Sequence, residues 1–170
     1  MVVSNHQSFL DLVLLGCAIP RRLSYVARTD LADSSIYRFM TAPFDVIPLR
    51  RGESDRRALK RIVEALKGGS AVLLFPEGTR TRTGRLGALR AGFLLMAGKA
   101  EVPIVPVRLE GSFQVWPRGR TIPGRGSIRL TVNPTLRVEN RTREAVLKEV
   151  RSGLEPRSRA LDRAGSPRII

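Results

Sequence analysis

Short apolar runs alternate with helix-like stretches along the chain, and this alternation restricts the fold more than any other feature. Val2 to Ser4, Leu23 to Ala27, Asp45 to Leu49, Ala71 to Phe75, Ile104 to Leu109 and Ile128 to Val132 are short and bounded by turn residues, so they read as strands. Between them, Asp55 to Lys67 sets Leu59, Ile62, Val63 and Leu66 at helical spacing, with Ser54 as its cap and Gly68 just past its end. Further helices are expected over about Phe9 to Ala18, over the uniformly apolar Ala88 to Lys99, and over Thr142 to Gly153 with Val146 and Val150 inward. Strands alternating with helices give an α/β fold, expected here as a mixed central sheet of about six or seven strands covered by helices. A chain of 170 residues fits one domain, assigned to residues 1–155, with 156–170 as a flexible tail.

His6 is the only histidine, and Asp11 is the nearest carboxylate to it. A neutral imidazole can take a proton from an alcohol near neutral pH. On a straight helix their separation turns roughly 500°, about 140° net, so the two side chains cannot meet with both residues mid-helix. A workable arrangement puts His6 in the turn after the first strand and Asp11 in the first turn of the following helix. Ser8 followed by Asp11 also reads as a capping box, so Asp11 is either a partner for His6 or only a helix cap.

Cys17, the single cysteine, excludes an intramolecular disulfide, and one histidine leaves no basis for a zinc cluster, so neither metal nor cofactor is expected. Lying in the apolar run Leu12 to Ile19, Cys17 is expected to be a buried, inert thiol. Lysines and arginines number 30 against 15 acids, a net charge of +15 that favours polyanionic partners. Arg80 to Lys99 and Gly111 to Val138 each hold five cations and no acid. A nucleic-acid module is the rival reading from charge, but the aromatic interleaving and motifs of common readers are missing, and no nucleic acid is expected. No apolar run reaches the 18 or so residues of a membrane-spanning helix, so membrane contact is expected to be peripheral. In the loop Gly111 to Gly126, Phe113 and Trp116 beside Arg118, Arg120 and Arg125 suit either an interface with an anionic bilayer or simple core packing.

Four segments resemble, in order, the blocks of the glycerolipid acyltransferases: Asn5-His6-Gln7-Ser8-x-x-Asp11, Val46 to Arg51, Phe75-Pro76-Glu77-Gly78-Thr79-Arg80 and Val102 to Val107. The likeness runs from residue 2 to about 136 and is closest to the bacterial branch that acylates lysophosphatidate. It implies transfer of a fatty acyl group from acyl-CoA or acyl carrier protein to the sn-2 hydroxyl of 1-acyl-sn-glycerol-3-phosphate, giving phosphatidic acid in phospholipid biosynthesis. It also implies a place on the cytoplasmic face of the cell membrane. Hydrophobic helices commonly precede the histidine block in the family, and here that block begins at Asn5, so the expectation is a core without its usual anchor.

The resemblance makes His6 the general base and Asp11 its partner, in the manner of a Ser-His-Asp triad whose serine is replaced by the substrate's alcohol. No acyl-enzyme is then needed, although Ser8 leaves a covalent alternative. Replacing either His6 or Asp11 by alanine is expected to abolish transfer without unfolding the protein. Asn5 would hold the catalytic turn on the substrate side, Arg51 and Arg80 would bind phosphate, and Glu77 would position one of those arginines or a substrate hydroxyl. Gly78 would let an anion approach the backbone, and Thr79 would add a hydroxyl. Val102, Pro103, Ile104, Val105 and Pro106 would shape an acyl-donor channel or simply pack, with the prolines at a strand start and at an edge or bulge. Arg50 stands where the lysophosphatidate branch often has Asp or Asn, which leaves another lyso-lipid or glycerol-3-phosphate open as acceptor.

Overall fold

The computed structural model describes residues 1–28, 45–49 and 55–156. Ser54, Arg50, Arg51 and the tail after residue 156 lie outside them. The described residues form β1 (Val2–Ser4), α1 (Leu10–Ala18), β2 (Leu23–Arg28), β3 (Asp45–Leu49), α2 (Asp55–Lys67), β4 (Ala71–Leu74), α3 (Gly92–Ala100), β5 (Val105–Glu110), a single-turn α4 (Ser112–Val115), β6 (Arg129–Val132) and α5 (Arg143–Leu154). Their six strands make one sheet in the order β3-β2-β4-β1-β5-β6. β3, β2, β4, β1 and β5 run parallel, and β6 closes the edge antiparallel to β5. The expected mixed sheet is therefore present, and β1 lies inside it with β4 and β5 as neighbours.

Parallel strands are joined by crossing helices, which cover both faces and call for apolar residues on each. Successive side chains of a strand point to opposite faces, so the pairs Val2/Val3 and Val72/Leu73 each divide between two cores. One core gathers Val3, Val72 and Ile104 with Ile62 and Leu66 of α2, Phe93, Leu94 and Ala97 of α3, and Val146, Val150 and Leu154 of α5. The other gathers Val2, Tyr25, Leu73, Val107 and Leu109 under Leu12 and Leu15 of α1. The Tyr25 hydroxyl donates to the Leu12 carbonyl at 2.7 Å and ties that helix down.

Two expectations are corrected and a third is narrowed. Cys17 is exposed: α1 buries the stripe of Leu12 and Leu15, and a residue two places beyond Leu15 is turned about 200° away. The helix expected from Ala88 begins only at Gly92, because Gly87 N–H donates to the Glu77 carboxylate and Arg90 N–H to the Pro76 carbonyl, which holds that stretch out of helical geometry. Pro106 is not on an edge strand, since β5 lies between β1 and β6, and its register partner is Val3 on the β1 side; toward β6 the register shifts by one residue between the pairs Val107/Val132 and Ile104/Leu136, as at a bulge. Neighbouring amides of a strand face opposite ways, and Val105 N–H takes Met1 O on the β1 side, so the missing donor of Pro106 falls toward β6. Pairing with β6 starts only at Val107, and the Pro106 carbonyl still accepts from Asn133 N–H.

Candidate active site

In a parallel sheet the loops leaving the carboxyl ends of adjacent strands converge, which is where α/β folds build sites. Here the loops after β4, β1 and β5 meet. Asn5 extends the β1 to β5 ladder with its side chain: its amide donates to the Leu109 carbonyl at 2.8 Å and accepts from Leu109 N–H at 2.7 Å. Both polar atoms of this buried residue are spent on the backbone, so Asn5 positions the turn and does not face a substrate.

The turn from Asn5 to Phe9 then folds around Asp11. One oxygen, Oδ2, receives His6 Nδ1 at 2.9 Å, Gln7 N–H at 2.6 Å and Ser8 N–H at 2.7 Å. Ser8 Oγ accepts from Leu10 N–H and donates to the Trp116 carbonyl. Cap and histidine partner, the two readings left open by spacing, are one arrangement: the carboxylate that starts α1 is the one that holds the imidazole. Asp11 is wholly buried, and three N–H groups on one carboxylate oxygen are charge-assisted bonds that offset its desolvation.

The His6 ring stacks on Phe75, centroids 3.9 Å apart and planes 13° from parallel. Its backbone is held as firmly, since His6 N–H donates to Glu77 Oε1 at 2.8 Å and the His6 carbonyl accepts from Thr81 N–H at 2.8 Å. With Nδ1 given to Asp11, the neutral ring presents a lone pair at Nε2, which has no protein partner among the described residues. The side chain is 16% exposed.

Glu77 forms no ion pair with Arg80, and Arg51 lies outside the described residues; its second oxygen takes Gly87 N–H at 2.8 Å, so the carboxylate bridges the histidine turn to the loop at Gly87. A side-chain methyl at Gly87 would come within 3.1 Å of that oxygen, which gives this glycine its role. Glu77→Gln keeps one acceptor and turns an amide donor on the other backbone N–H. The expected result is a stability loss of about 1–3 kcal/mol and a fall in kcat of up to about 100-fold as His6 shifts, read by chemical denaturation and steady-state kinetics; kcat equal to wild type would show that the bridge does not position His6.

Arg80 lies over the Phe9 ring, its guanidinium carbon 3.6 Å from the centroid. Half-burial and the nearby Arg118 charge push its pKa below the usual arginine value, with Asp11 opposing them. Two cations close together in a half-buried place create a demand for an anion. Gly78 has φ +71°, its N–H closes a turn on the Phe75 carbonyl, and the guanidinium of Arg90 lies where a side chain would stand. Thr79 is exposed at the mouth of a cleft of about 560 Å³, whose lining includes Glu77, Arg80, Arg82, Arg85, Arg90 and Arg118. Arg51, the other expected phosphate ligand, lies outside the described residues.

The block Val102 to Pro106 does not join this site. Val105 pairs with Val2 at the start of β1, whereas His6 follows its end, and Ile104 is fully buried in the core with a two-way bridge to Leu136. Of the two readings left for this block, packing fits its placement. Trp116 is half-buried: its ring lies 6.1 Å from Phe9, and its N–H donates to the Arg120 carbonyl. Residues that the sequence does not assign to this site are Phe75 as ring support, Gln7, and Arg118, which the sequence placed only at a bilayer interface and which lines the cleft. Gln7 links the turn to Gly84 O at 3.1 Å and to the Ser112 hydroxyl at 3.3 Å. Its place inside the first block, and that of Arg118 in an acid-free stretch, were the signals available.

Comparison with known proteins bears on the family and the fold. A chloroplastic 1-acyl-sn-glycerol-3-phosphate acyltransferase, LPAT1, of Arabidopsis thaliana is 36% identical over 134 residues, which is 77% of this chain and 37% of that protein. A lyso-ornithine lipid O-acyltransferase of Pseudomonas aeruginosa is 30% identical over 108 residues, 63% of this chain and 41% of that protein. The crystal structure of the 1-acyl-sn-glycerophosphate acyltransferase PlsC from Thermotoga maritima matches with a TM-score of 0.75 at 27% identity, covering 89% of this chain and 63% of that one. The chain thus spans less than two thirds of each of these proteins. Residues 1–110, which carry His6, Asp11, Glu77 and Arg80, match the Acyltransferase family, and the chain belongs to it.

Proposed function

We propose that this chain transfers a fatty acyl group from a thioester, of coenzyme A or acyl carrier protein, to the sn-2 hydroxyl of 1-acyl-sn-glycerol-3-phosphate, giving phosphatidic acid for phospholipid biosynthesis. The observation that carries this reading is the 2.9 Å contact of His6 Nδ1 with buried Asp11, which leaves Nε2 free in a turn whose Phe9 ring lies under Arg80. Nε2 takes the hydroxyl proton as the oxygen attacks the thioester carbonyl, and Asp11 stabilises the imidazolium. When the tetrahedral intermediate collapses, the carbon–sulfur bond breaks and the imidazolium returns the proton to the leaving thiolate. Arg80 and Arg118 hold the acceptor's phosphate, with Arg51 assigned to the same task from its place in the second block. Ser8 has no part as a nucleophile in this reading, because its hydroxyl is committed to Leu10 N–H and the Trp116 carbonyl.

No helix among the described residues is long and apolar enough to cross a membrane. Peripheral contact with an anionic membrane surface on its cytoplasmic face fits the net charge of +15. The similarity to a lyso-ornithine lipid acyltransferase favours a second acceptor reading, in which an amino-acid lyso-lipid replaces lysophosphatidate. Thiol release from acyl-CoA, with mass spectrometry of the product from each acceptor, separates the two. Arg80→Ala should raise the lysophosphatidate KM roughly ten- to hundredfold, the value of a charge-assisted bond to phosphate, and Arg80→Lys should recover part of that loss. An unchanged KM in Arg80→Ala would remove Arg80 from the phosphate site. Absence of thiol release with either acceptor would defeat the acyl-transfer reading.

A further inference from the structure

We infer that Phe75 is a positioning residue for the transfer step, and that the electron-rich face of its ring stabilises the imidazolium that His6 becomes when it takes the hydroxyl proton. The inference deepens the acyl-transfer reading and rests on it. The two rings lie nearly parallel, 13° apart, with centroids at 3.9 Å. Two neutral aromatic rings prefer an offset or edge-to-face arrangement, with centroids about 4.5–7 Å apart. A close stack on the ring face is instead the geometry in which a cation gains most, because the face carries the negative part of the ring quadrupole.

Both rings are held in this arrangement from several sides. His6 is fixed at its N–H by Glu77, at its carbonyl by Thr81 N–H and at Nδ1 by Asp11. Phe75 directly follows β4, and its carbonyl accepts from Gly78 N–H at 3.0 Å. The next carbonyl, of Pro76, accepts from Arg90 N–H, and the Phe75 side chain packs against the core under α1. Val3 pairs with Leu74, so Phe75 stands one place and His6 three places beyond that pair. Alternation along strands favours the same face of the sheet for both side chains.

The ring face counts only once the proton has moved. Before transfer the imidazole is neutral, and the phenyl ring gives it little beyond contact. As the hydroxyl oxygen attacks the thioester carbonyl, its proton passes to Nε2 and a positive charge develops on a ring already seated over Phe75; the charge is gone again when the proton leaves with the thiolate. An interaction that is stronger in the transition state than in the ground state raises kcat and leaves KM alone. Asp11 supplies its share at the ring edge, through an oxygen that also serves Gln7 N–H and Ser8 N–H. Phe75 adds a second share from the face. The same device stands nearby, where the Arg80 guanidinium carbon lies 3.6 Å from the Phe9 centroid.

The test replaces Phe75 in turn by monofluoro-, trifluoro- and pentafluorophenylalanine, rings of nearly equal size whose faces are progressively less negative. Far-UV circular dichroism should match wild type. Single-turnover thiol release with acyl-CoA and lysophosphatidate should slow in the order of fluorine content, by about two- to thirtyfold at the pentafluoro ring, with the lysophosphatidate KM nearly unchanged. A ring that served only as a flat support would keep its rate, since an electron-poor face stacks on a neutral imidazole at least as well. Rates that stay level, rise or follow no order therefore overturn the inference. Because His6 is the only histidine, its ring signals can also be followed by NMR against pH. A cation stabilised by the face keeps its proton to higher pH, so the midpoint should fall in the same order, by up to about 1.5 pH units for a thirtyfold effect. Among the described residues, the charged groups around the ring are Asp11 at Nδ1, Glu77 at the backbone N–H, and Arg80 on Phe9 with Arg118 near it, all the same in every variant. A midpoint that does not move overturns the inference as well. Should wild type release no thiol, the acyl-transfer reading fails by itself, and the midpoints alone decide whether the Phe75 face stabilises the imidazolium.

Discussion

His6→Ala protein should fold and yet transfer acyl groups on the order of 100 to 10,000-fold more slowly, the usual worth of a positioned general base. The geometry separates rate from stability at this position. Removing the imidazole takes away one of three donors on Asp11 Oδ2, but Gln7 N–H and Ser8 N–H keep their acceptor, so the start of α1 survives. What is lost is the stacking on Phe75 by a side chain that already meets solvent. That loss falls within the ordinary range for a single substitution, about 0.5–3 kcal/mol. Thermal unfolding and thiol release on the same preparation check both halves. A folded His6→Ala protein with near-normal turnover would remove the imidazole from the mechanism, whereas a protein that fails to fold would show that the Phe75 contact holds more of the turn together than its exposure indicates.

Much of this arrangement is written in the chain because the periods of strands and helices are short-range properties. The six strands were readable from runs such as Ala71 to Phe75, and α2 from the spacing of Leu59, Ile62, Val63 and Leu66. Long-range hydrogen bonds are what escape such a reading. Nothing local says that Glu77 will bridge His6 N–H and Gly87 N–H, or that Asn5 will spend its amide on Leu109. The late start of α3 has the same origin, since the pull of Pro76 and Glu77 on Arg90 and Gly87 acts across many residues of chain. Cys17 was misjudged for a different reason. In a helix as apolar as α1, composition does not mark the buried stripe, and the sheet selects Leu12 and Leu15. Asp11 is the instructive intermediate, because spacing left two readings open and the fold satisfies both with one oxygen.

That double duty changes the expectation for Asp11. Asp11→Ala, expected from the chain alone to lose activity with folding intact, should lose both, because it strands the buried N–H groups of Gln7 and Ser8 at about 1–3 kcal/mol each. A net loss of about 3 kcal/mol in a protein of this size lowers Tm by roughly 6–12 °C. Asp11→Asn separates the two duties. Its amide oxygen can take the place of Oδ2 and keep both backbone donors, and its nitrogen falls where Oδ1 already lies buried with no partner among the described residues, so the exchange adds little cost. What asparagine cannot supply is the negative charge opposite an imidazolium, and the same exchange in a Ser-His-Asp triad costs about 10,000-fold in kcat. The alanine protein should therefore be slow and less stable, and the asparagine protein nearly as slow with most of its Tm retained. Turnover by Asp11→Asn within about tenfold of wild type would reduce Asp11 to a helix cap, since a charge worth so little could not be stabilising the proton that the mechanism puts on His6.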